Sequence, residues 1–214
     1  MDKMIKAVLF DLDGTLLDTN ELIYKSFDYT FKEGLGLTLS KNEITSYFGQ
    51  PLPYTFKMFT KDEEKIENLI HMYREYNEKI HDNMCFPFKG VPKLLEELKN
   101  RGIKLAIVTS KRENLARRGM EIADIIKYMD VIVTPEYTKK HKPSAEPALF
   151  ACEKLGVDPK DALMVGDSHF DLLCGKEAGC KTCGVKYTAL DLKRLEEVKP
   201  DYLIDSPEEI LELL

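Results

Sequence analysis

Short apolar runs alternate with longer amphipathic segments along most of the chain. The apolar runs stop at polar residues, as buried strands do, and several of the amphipathic segments have helical spacing and end before a glycine. This alternation predicts an α/β fold with a parallel sheet. The predicted strands are residues 4–10, 104–108, 131–133, 162–165, 181–185 and 202–204, and the predicted helices are residues 91–101, 146–155, 170–178 and one starting at Ser206.

Residues 17–87 follow a different pattern. They contain no convincing strand, but helical spacing recurs and aromatic residues concentrate there. The pattern predicts an all-helical domain inserted after the first strand, with residues 1–16 and 88–214 forming the α/β core. A helical insertion beside candidate catalytic residues more often acts as a lid than as a purely structural element. The helices predicted here are residues 21–32, 41–48, 52–59 and 61–81.

Composition and charge narrow the functional classes. The 214 residues allow one domain with a sizeable insertion. The 37 acidic and 31 basic residues give a net charge of −6, which argues against general nucleic-acid binding but leaves room for one basic pocket that holds a small phosphorylated ligand. No apolar run approaches the ~20 residues of a membrane span. No secretory signal is visible, and the five cysteines are odd in number and scattered. A cytoplasmic protein without structural disulfides or membrane partners is therefore expected.

Polar side chains follow several of the predicted strands at the point where each strand ends. Ligands of an open parallel sheet bind outside the carboxyl ends of its strands, so these side chains are expected to converge. The motifs are Asp11-Leu12-Asp13-Gly14-Thr15 after the first strand, Thr109-Ser110 after the second, Lys142-Pro143 before the helix at 146–155, and Gly166-Asp167-Ser168 with Asp171 at the end of the strand at 162–165.

These residue types suit Mg²⁺-assisted phosphoryl transfer. Clustered carboxylates repel one another unless a cation lies among them, and Mg²⁺ prefers such oxygen ligands and often shares its site with phosphates. A lysine and short hydroxyl side chains suit the phosphoryl oxygens. One carboxylate in line with phosphorus can form an aspartyl-phosphate, and a second acid can protonate the leaving group and then activate water.

The four motifs, in this order, resemble those of the haloacid dehalogenase superfamily, in particular its phosphatases with a Rossmann-like core and an inserted helical cap. The resemblance covers essentially the whole chain. It implies that Asp11 is the nucleophile and that Asp13 is the general acid/base. It also implies that Thr109 and its neighbour Ser110 bind the phosphoryl group, and that Lys142 offsets the charge of nucleophile and phosphate. The implied metal ligands are Asp11, Asp167 and the backbone carbonyl of Asp13, with Ser168 and Asp171 supporting the metal site and Gly14 making the tight turn.

Several of these residues also fit a purely structural interpretation. Thr109 could stabilise a turn, Lys142 could be a surface lysine in the run 139–142, and Asp171 could cap the helix that follows it. Two other functional classes also remain open. A phosphate-accepting receiver module needs neither a helical cap nor Asp13, and a glycosyltransferase would leave Lys142 unexplained.

The insertion is similar to that of phosphoglycolate-phosphatase-like enzymes and, more closely, to that of PpaX-type pyrophosphatases, on residues 18–23, 48–52, 72–77 and 81–82. This resemblance implies pyrophosphate as the substrate, with phosphoglycolate or another small phosphomonoester as the alternative. Gln50 and Pro51 stand where related mutases carry Ser-Arg, which counts against a mutase. A monomer or weak dimer is expected. The candidate substrate contacts are Asn20, Glu21, Gly49, Gln50, Lys111 and Arg112, and Lys111, Arg112 and Lys25 are the cations that could face a leaving phosphate.

Overall fold

The chain divides into two units, which the computed structural model describes over residues 5–214. The first runs up to Asp18 and continues over Phe86–Leu214, and the second is Thr19–Cys85. The strands are β1 (Ala7–Phe10), β2 (Leu17–Asp18), β3 (Phe86–Pro87), β4 (Lys104–Val108), β5 (Val131–Val133), β6 (Ala162–Gly166), β7 (Lys181–Val185) and β8 (Tyr202–Ile204). The α-helices are α1 (Asn20–Leu35), α2 (Lys41–Thr45), α3 (Leu52–Lys57), α4 (Glu63–Ile80), α5 (Val91–Asn100), α6 (Glu113–Ile122), α7 (Glu146–Leu155), α8 (His169–Ala178) and α9 (Leu192–Glu197), and short 3₁₀ helices cover His81–Asn83, Ile126–Tyr128, Pro135–Tyr137, Pro159–Asp161 and Pro207–Glu212.

Six strands of the first unit form one parallel sheet, in the order β5-β4-β1-β6-β7-β8. The central strands are nearly continuous apolar runs that are buried, as a parallel sheet covered by helices requires. From β1 the chain moves outward through β4 to β5 and then returns to β6 on the other side of β1. This topology confirms the predicted Rossmann-like α/β fold, and it places a crevice for ligands beside β1, where the strand order reverses.

Helices and apolar side chains cover both faces of the sheet. Ala7 and Leu9 of β1 belong to a buried apolar cluster to which α7 and α8 also contribute, for example through Ala148. Successive side chains of a strand point to opposite faces, and Val8 and Phe10 are also fully buried, so the second face is covered as well. The core therefore holds β1 rigidly on both sides, and the residue that follows it is well positioned.

The second unit is a bundle formed by α1 to α4. Helices α1 and α4 pack against each other, α2 contacts α1, and α3 contacts α4. Its core is aromatic, with the ring centroids of Phe27 and Tyr73 only 4.8 Å apart. The buried amide of Asn77 donates a hydrogen bond of 3.0 Å to the hydroxyl of Ser26, which joins α4 to α1 without leaving that amide unsatisfied. Each predicted helical segment of this unit contains a helix, with ends that differ by up to three residues.

The prediction that residues 17–87 lack strands is wrong at both ends of that segment. Leu17 and Asp18 pair in antiparallel fashion with Pro87 and Phe86. These two-residue strands are too short to produce a periodic signal in the sequence. They belong to the α/β unit, so the helical unit is two residues shorter at each end than the predicted insertion.

Other differences concern single elements. Met4, the first residue of the first predicted strand, lies outside the described residues, and β1 begins only at Ala7. Helices α6 and α9 have no counterpart in the prediction, because α6 buries only three of its ten residues and α9 is only six residues long. The five cysteines are buried and have free thiols. None of the helices within residues 5–214 combines the length and apolar character that crossing a bilayer requires.

Candidate active site

Three neighbouring strands deliver polar residues to one edge of the sheet. The backbone N–H of Asp11, directly after β1, donates to the carbonyl of Val165 at 2.9 Å and so continues the pairing with β6. The N–H of Thr109, directly after β4, donates to the carbonyl of Val133 at 3.0 Å. Asp167 directly follows β6. Asp11, Thr109 and Asp167 are each only 7% exposed. The pairing of the strands therefore fixes the backbone positions of three predicted site residues.

Lys142 reaches this edge from the segment before α7. Its Nζ lies 2.6 Å from Oδ1 of Asp11, 2.5 Å from Oδ1 of Asp171 and 3.0 Å from the carbonyl oxygen of Val108. The lysine side chain is 5% exposed, so the interpretation of Lys142 as a surface lysine is wrong. Its ammonium is a buried cation that joins two carboxylates.

Three carboxylates form the centre of the site. Asp11, Asp167 and Asp171 each offer an oxygen within 4.8 Å of the other two. Burial raises the pKa of Asp11 to about 7, the charge of Asp171 adds to the rise, and Lys142 opposes it. Burial also raises the pKa of Asp167 well above its usual value, and Asp11 and Asp171 contribute further. For Lys142, burial lowers the pKa, but the charges of Asp11 and Asp171 outweigh it and keep the ammonium protonated.

The donor set fits a divalent metal ion. Lys142 supplies one positive charge for three buried carboxylates, so the cluster lacks positive charge when all three are ionised. Both oxygens of Asp171 already accept hydrogen bonds, Oδ1 from Lys142 and Oδ2 from Ser168. Asp11 and Asp167 are therefore the better candidates for direct ligands, and their hard oxygens suit a cation such as Mg²⁺.

Ser168 and Asp171 form a capping box at the start of α8. Ser168 is the N-cap and accepts a hydrogen bond from the N–H of Asp171, while Oδ2 of Asp171 accepts from the N–H and hydroxyl of Ser168 at 3.0 and 2.6 Å. The alternative that Asp171 is itself the N-cap is therefore wrong, since Asp171 stands at the third helical position. The box holds Asp171 where its other oxygen meets Lys142.

Gly14 is required by a close approach to Asp167. Its φ of +82° lies in the left-handed region, and a Cβ built on it would lie 2.2 Å from Oδ2 of Asp167. Its N–H donates to the carbonyl of Leu17 at 2.8 Å, which closes the turn that follows the first motif. A side chain at position 14 would displace the carboxylate of Asp167.

Asp13 is paired with a second lysine. Nζ of Lys111 lies 2.9 Å from Oδ1 of Asp13, and the N–H of Lys111 donates to the hydroxyl of Thr109 at 3.1 Å. The Lys111 side chain is only 9% exposed. The sequence predicts Lys111 as a substrate contact but does not indicate its pair with Asp13. Its neighbours Ser110 and Arg112 are exposed, and Arg112 stands at the N-cap of α6.

Comparison with known proteins identifies the family. Residues 8–185 match the model of the haloacid dehalogenase-like hydrolases. The chain belongs to this family. A PpaX protein of Clostridium perfringens is 55% identical over 211 residues, which cover 99% of this chain and 98% of that protein. Pyrophosphatase PpaX of Oceanobacillus iheyensis is 40% identical over 210 residues, which cover 98% and 97%.

Solved structures agree with this assignment. A haloacid dehalogenase-like hydrolase from Streptococcus pneumoniae superposes with a TM-score of 0.88 at 29% identity and covers 98% of each chain. A predicted phosphoglycolate phosphatase from Haemophilus somnus superposes with a TM-score of 0.87 at 25% identity and covers 98% of this chain and 97% of that one. The present chain is therefore a phosphatase of the haloacid dehalogenase-like family, as the four motifs indicate. It acts on small phosphorylated substrates.

Four predicted substrate contacts of this haloacid dehalogenase-like hydrolase lie in the helical unit. Asn20 is the first residue of α1. Glu21 is exposed, and its carboxylate lies 3.9 Å from Nζ of Lys25 and 3.8 Å from Nζ of Lys41. Gly49 is exposed with φ +74°, and Nε2 of Gln50 donates to the carbonyl of Ser46 at 3.1 Å. The role of these four residues in substrate binding stays a prediction.

Sequence reasoning missed one residue that contacts the carboxylate cluster of this hydrolase. The hydroxyl of Thr188, in the loop after β7, donates to Oδ2 of Asp167 at 2.8 Å. Strand β7 lies next to β6, and ligands of a parallel sheet bind outside the carboxyl ends of its strands. The position of Thr188 shortly after the predicted strand 181–185 therefore indicates a site residue, but Thr188 lies outside the four motifs.

Proposed function

We propose that this phosphatase hydrolyses pyrophosphate with the help of Mg²⁺, through an aspartyl-phosphate formed on Asp11. The mechanism rests above all on one observation, the buried contact of 2.6 Å between Lys142 and Asp11 beside Asp167. The choice of substrate rests on the PpaX relatives, which match this chain along almost its full length. The similarity to the predicted phosphoglycolate phosphatase from Haemophilus somnus keeps phosphoglycolate as the second candidate.

Asp11 has the surroundings that a nucleophile needs. Its backbone is anchored to β6, and Lys142 holds Oδ1, so we assign the attack on phosphorus to Oδ2. Lys142 stays protonated because two carboxylates raise its pKa, and it offsets charge on the carboxylate and on the incoming phosphoryl group. Mg²⁺ held by Asp11, Asp167 and the backbone carbonyl of Asp13 would bring the phosphoryl oxygens to the nucleophile and neutralise their charge.

Thr109 and Asp13 complete the chemistry. The Thr109 hydroxyl accepts a hydrogen bond from the N–H of Lys111, which uses an oxygen lone pair and leaves the hydroxyl proton for a phosphoryl oxygen. Asp13 is assigned the base that activates water against the aspartyl-phosphate and, for a substrate whose leaving group is an alcohol, the general acid that protonates that leaving group. Its side chain is 22% exposed, so water can reach it.

The helical unit is assigned the role of a cap. Residues 19–85 fold around a core of their own, and the predicted substrate contacts Asn20, Glu21, Gly49 and Gln50 all belong to this unit. A cap that closes over a phosphoryl-transfer site excludes bulk water and selects the substrate. Specificity for pyrophosphate would then depend on this unit and on the residues of the core that face the leaving group.

A substrate panel with Mg²⁺ tests the proposal. Phosphate release from pyrophosphate, phosphoglycolate and several sugar phosphates is compared, with EDTA and with added Mg²⁺ as the metal controls. We expect the highest kcat/KM for pyrophosphate, no turnover in EDTA, and no turnover by Asp11→Asn. Asp124→Asn makes the same substitution at a carboxylate that is 80% exposed and should leave the rates unchanged. A higher kcat/KM for phosphoglycolate would overturn the choice of substrate, and turnover by Asp11→Asn would overturn the mechanism.

A further inference from the structure

Two largely buried lysines contact three of the four carboxylates of the site. Lys142 contacts Asp11 and Asp171, whereas Lys111 contacts Asp13. The Lys111 side chain is 9% exposed, although lysine side chains are rarely buried without a reason. Its backbone is fixed as well, because its N–H donates to the hydroxyl of Thr109. The ammonium of Lys111 is therefore held in one place, against one oxygen of Asp13.

The position of Asp13 decides what Lys111 can reach. A general acid must come within hydrogen-bond reach of the leaving oxygen, about 2.6–3.2 Å, to deliver its proton. Nζ of Lys111 lies 2.9 Å from Oδ1 of that acid. A cation so close to the acid lies next to the leaving group, whereas Lys142 lies next to the nucleophile. Arg112, the neighbouring cation in sequence, is exposed and does not have this position.

We propose that Lys111 binds the anionic leaving group and thereby favours pyrophosphate over phosphomonoesters of neutral alcohols. This inference rests on the proposed function, since it concerns the leaving group of the same reaction. In the step considered, the carboxylate of Asp11 attacks one phosphorus of hydrogen pyrophosphate, a new O–P bond forms, and the bond from that phosphorus to the bridging oxygen breaks. The electron pair goes to the bridging oxygen, which departs within hydrogen phosphate.

Charge and protons balance in that step. Hydrogen pyrophosphate with three negative charges and the carboxylate with one become an aspartyl-phosphate with two and a hydrogen phosphate with two. The departing group therefore carries two negative charges and needs no proton from Asp13. The leaving group of an alkyl phosphate takes the proton of Asp13 and departs as a neutral alcohol. It therefore carries no negative charge that a cation could stabilise. A cation beside the leaving group thus assists pyrophosphate far more than an alkyl phosphate.

A purely positioning role for Lys111 makes the opposite prediction. If Lys111 only orients Asp13, its removal weakens proton donation, and the alkyl phosphate, which depends on that proton, suffers more than pyrophosphate. Both substrates form the same aspartyl-phosphate, so kcat/KM compares only the steps up to departure of the leaving group. The ratio of the two losses therefore distinguishes leaving-group binding from positioning.

The experiment measures kcat/KM of Lys111→Gln with pyrophosphate and with glycerol 1-phosphate, whose leaving alcohol is neutral. Glutamine keeps an N–H donor for Asp13 but lacks the charge. We expect kcat/KM for pyrophosphate to fall about 10- to 100-fold more than that for glycerol 1-phosphate, as the loss of a charged hydrogen bond implies. Lys111→Arg keeps the charge and should keep the wild-type ratio. Equal losses, or a larger loss with glycerol 1-phosphate, would overturn the proposal.

Two further comparisons separate this test from the proposed function. Lys99→Gln breaks an ion pair of 2.7 Å with Asp130 by the same substitution and should change neither rate. If the wild-type protein fails to hydrolyse pyrophosphate, the proposed substrate is wrong. Phosphoglycolate, whose leaving group carries a carboxylate, is then compared with glycerol 1-phosphate in the same way. If the ratio of the two kcat/KM values is the same in Lys111→Gln as in the wild type, leaving-group binding by Lys111 is contradicted as well.

Discussion

Nζ of Lys142 lies 2.6 Å from Oδ1 of Asp11, although the two residues are 131 positions apart in the sequence. Since the same ammonium also contacts Asp171 at 2.5 Å, one cation holds together the end of β1, the segment before α7 and the start of α8. The proposed chemistry depends on this contact, because Lys142 orients the carboxylate of Asp11 and lowers the electrostatic cost of bringing a phosphate to that carboxylate.

Removal of the Lys142 ammonium should abolish most activity. We expect Lys142→Met to lower kcat for pyrophosphate by about 10²- to 10³-fold, the usual effect of removing one preorganised electrostatic group. Lys140→Met changes an exposed lysine two positions away and should keep the wild-type kcat. Steady-state phosphate release checks both variants, and a Lys142→Met enzyme within a few-fold of the wild type would contradict the assigned role.

The metal-free protein should lose stability as the pH rises. The pKa of Asp11 is raised from 3.8 to about 7 in the folded protein, so the folded state binds more protons than the unfolded state between these values. The stabilisation is complete below the unfolded pKa and is lost as the pH rises through the folded pKa. Asp11→Asn cannot titrate there, so its free energy of unfolding should exceed that of the wild type by an amount that grows on the order of 2–4 kcal/mol between pH 4 and pH 8.

Urea unfolding in EDTA at several pH values measures this difference. Added Mg²⁺ should stabilise the wild type more at pH 8 than at pH 5, because its carboxylate ligands must be ionised to bind the metal. A difference between the wild type and Asp11→Asn that stays constant with pH would show that Asp11 titrates normally.

An alanine at position 14 should weaken the metal site. Gly14→Ala and Gly102→Ala both place a Cβ at a positive φ, but only the first meets the carboxylate of Asp167, while the Cβ at Gly102 has nothing within 4 Å. Both variants should lose about 1–2 kcal/mol of stability from backbone strain. Gly14→Ala alone should also bind Mg²⁺ about 10- to 100-fold more weakly by titration calorimetry. Equal Mg²⁺ affinity in the two variants would contradict the close approach.

Thr188 should support the metal site through Asp167. Thr188→Val removes the hydroxyl that donates to Oδ2 of Asp167 and should weaken Mg²⁺ binding about 10-fold or more. Thr188→Ser retains the hydroxyl and should restore the affinity. The dissociation constant for Mg²⁺ and the Mg²⁺ concentration that half-activates the enzyme should shift together, and an unchanged affinity in Thr188→Val would remove this residue from the site.

The order of strands and motifs explains why much of the site could be predicted. Asp11, Thr109 and Asp167 each follow a buried apolar run, and parallel strands bring their carboxyl ends to one edge, so sequence alone indicates their convergence. The direction of each side chain could not be predicted in the same way. Lys111 meets Asp13 across 98 positions, and no local pattern encodes such a contact.

The remaining differences have similar physical causes. Strands β2 and β3 contain two residues each, which is too few for an alternation of apolar and polar residues to be recognised. Asp171 follows the strand like a capping residue, but Ser168 caps the helix, and both residue types are good N-caps. Only the three-dimensional arrangement distinguishes them.

In the proposed mechanism the phosphoryl group passes through Asp11. Brief incubation with radiolabelled pyrophosphate and Mg²⁺, acid quenching and reduction with borohydride would convert an aspartyl-phosphate into homoserine, which peptide mass spectrometry can locate. If the phosphoryl group passes through Asp11, the protein is labelled before reduction and carries homoserine at position 11 after it. The amount should be larger in Asp13→Asn, because this variant should hydrolyse the intermediate slowly. Turnover of pyrophosphate without label, or label that persists in Asp11→Asn, would contradict this mechanism.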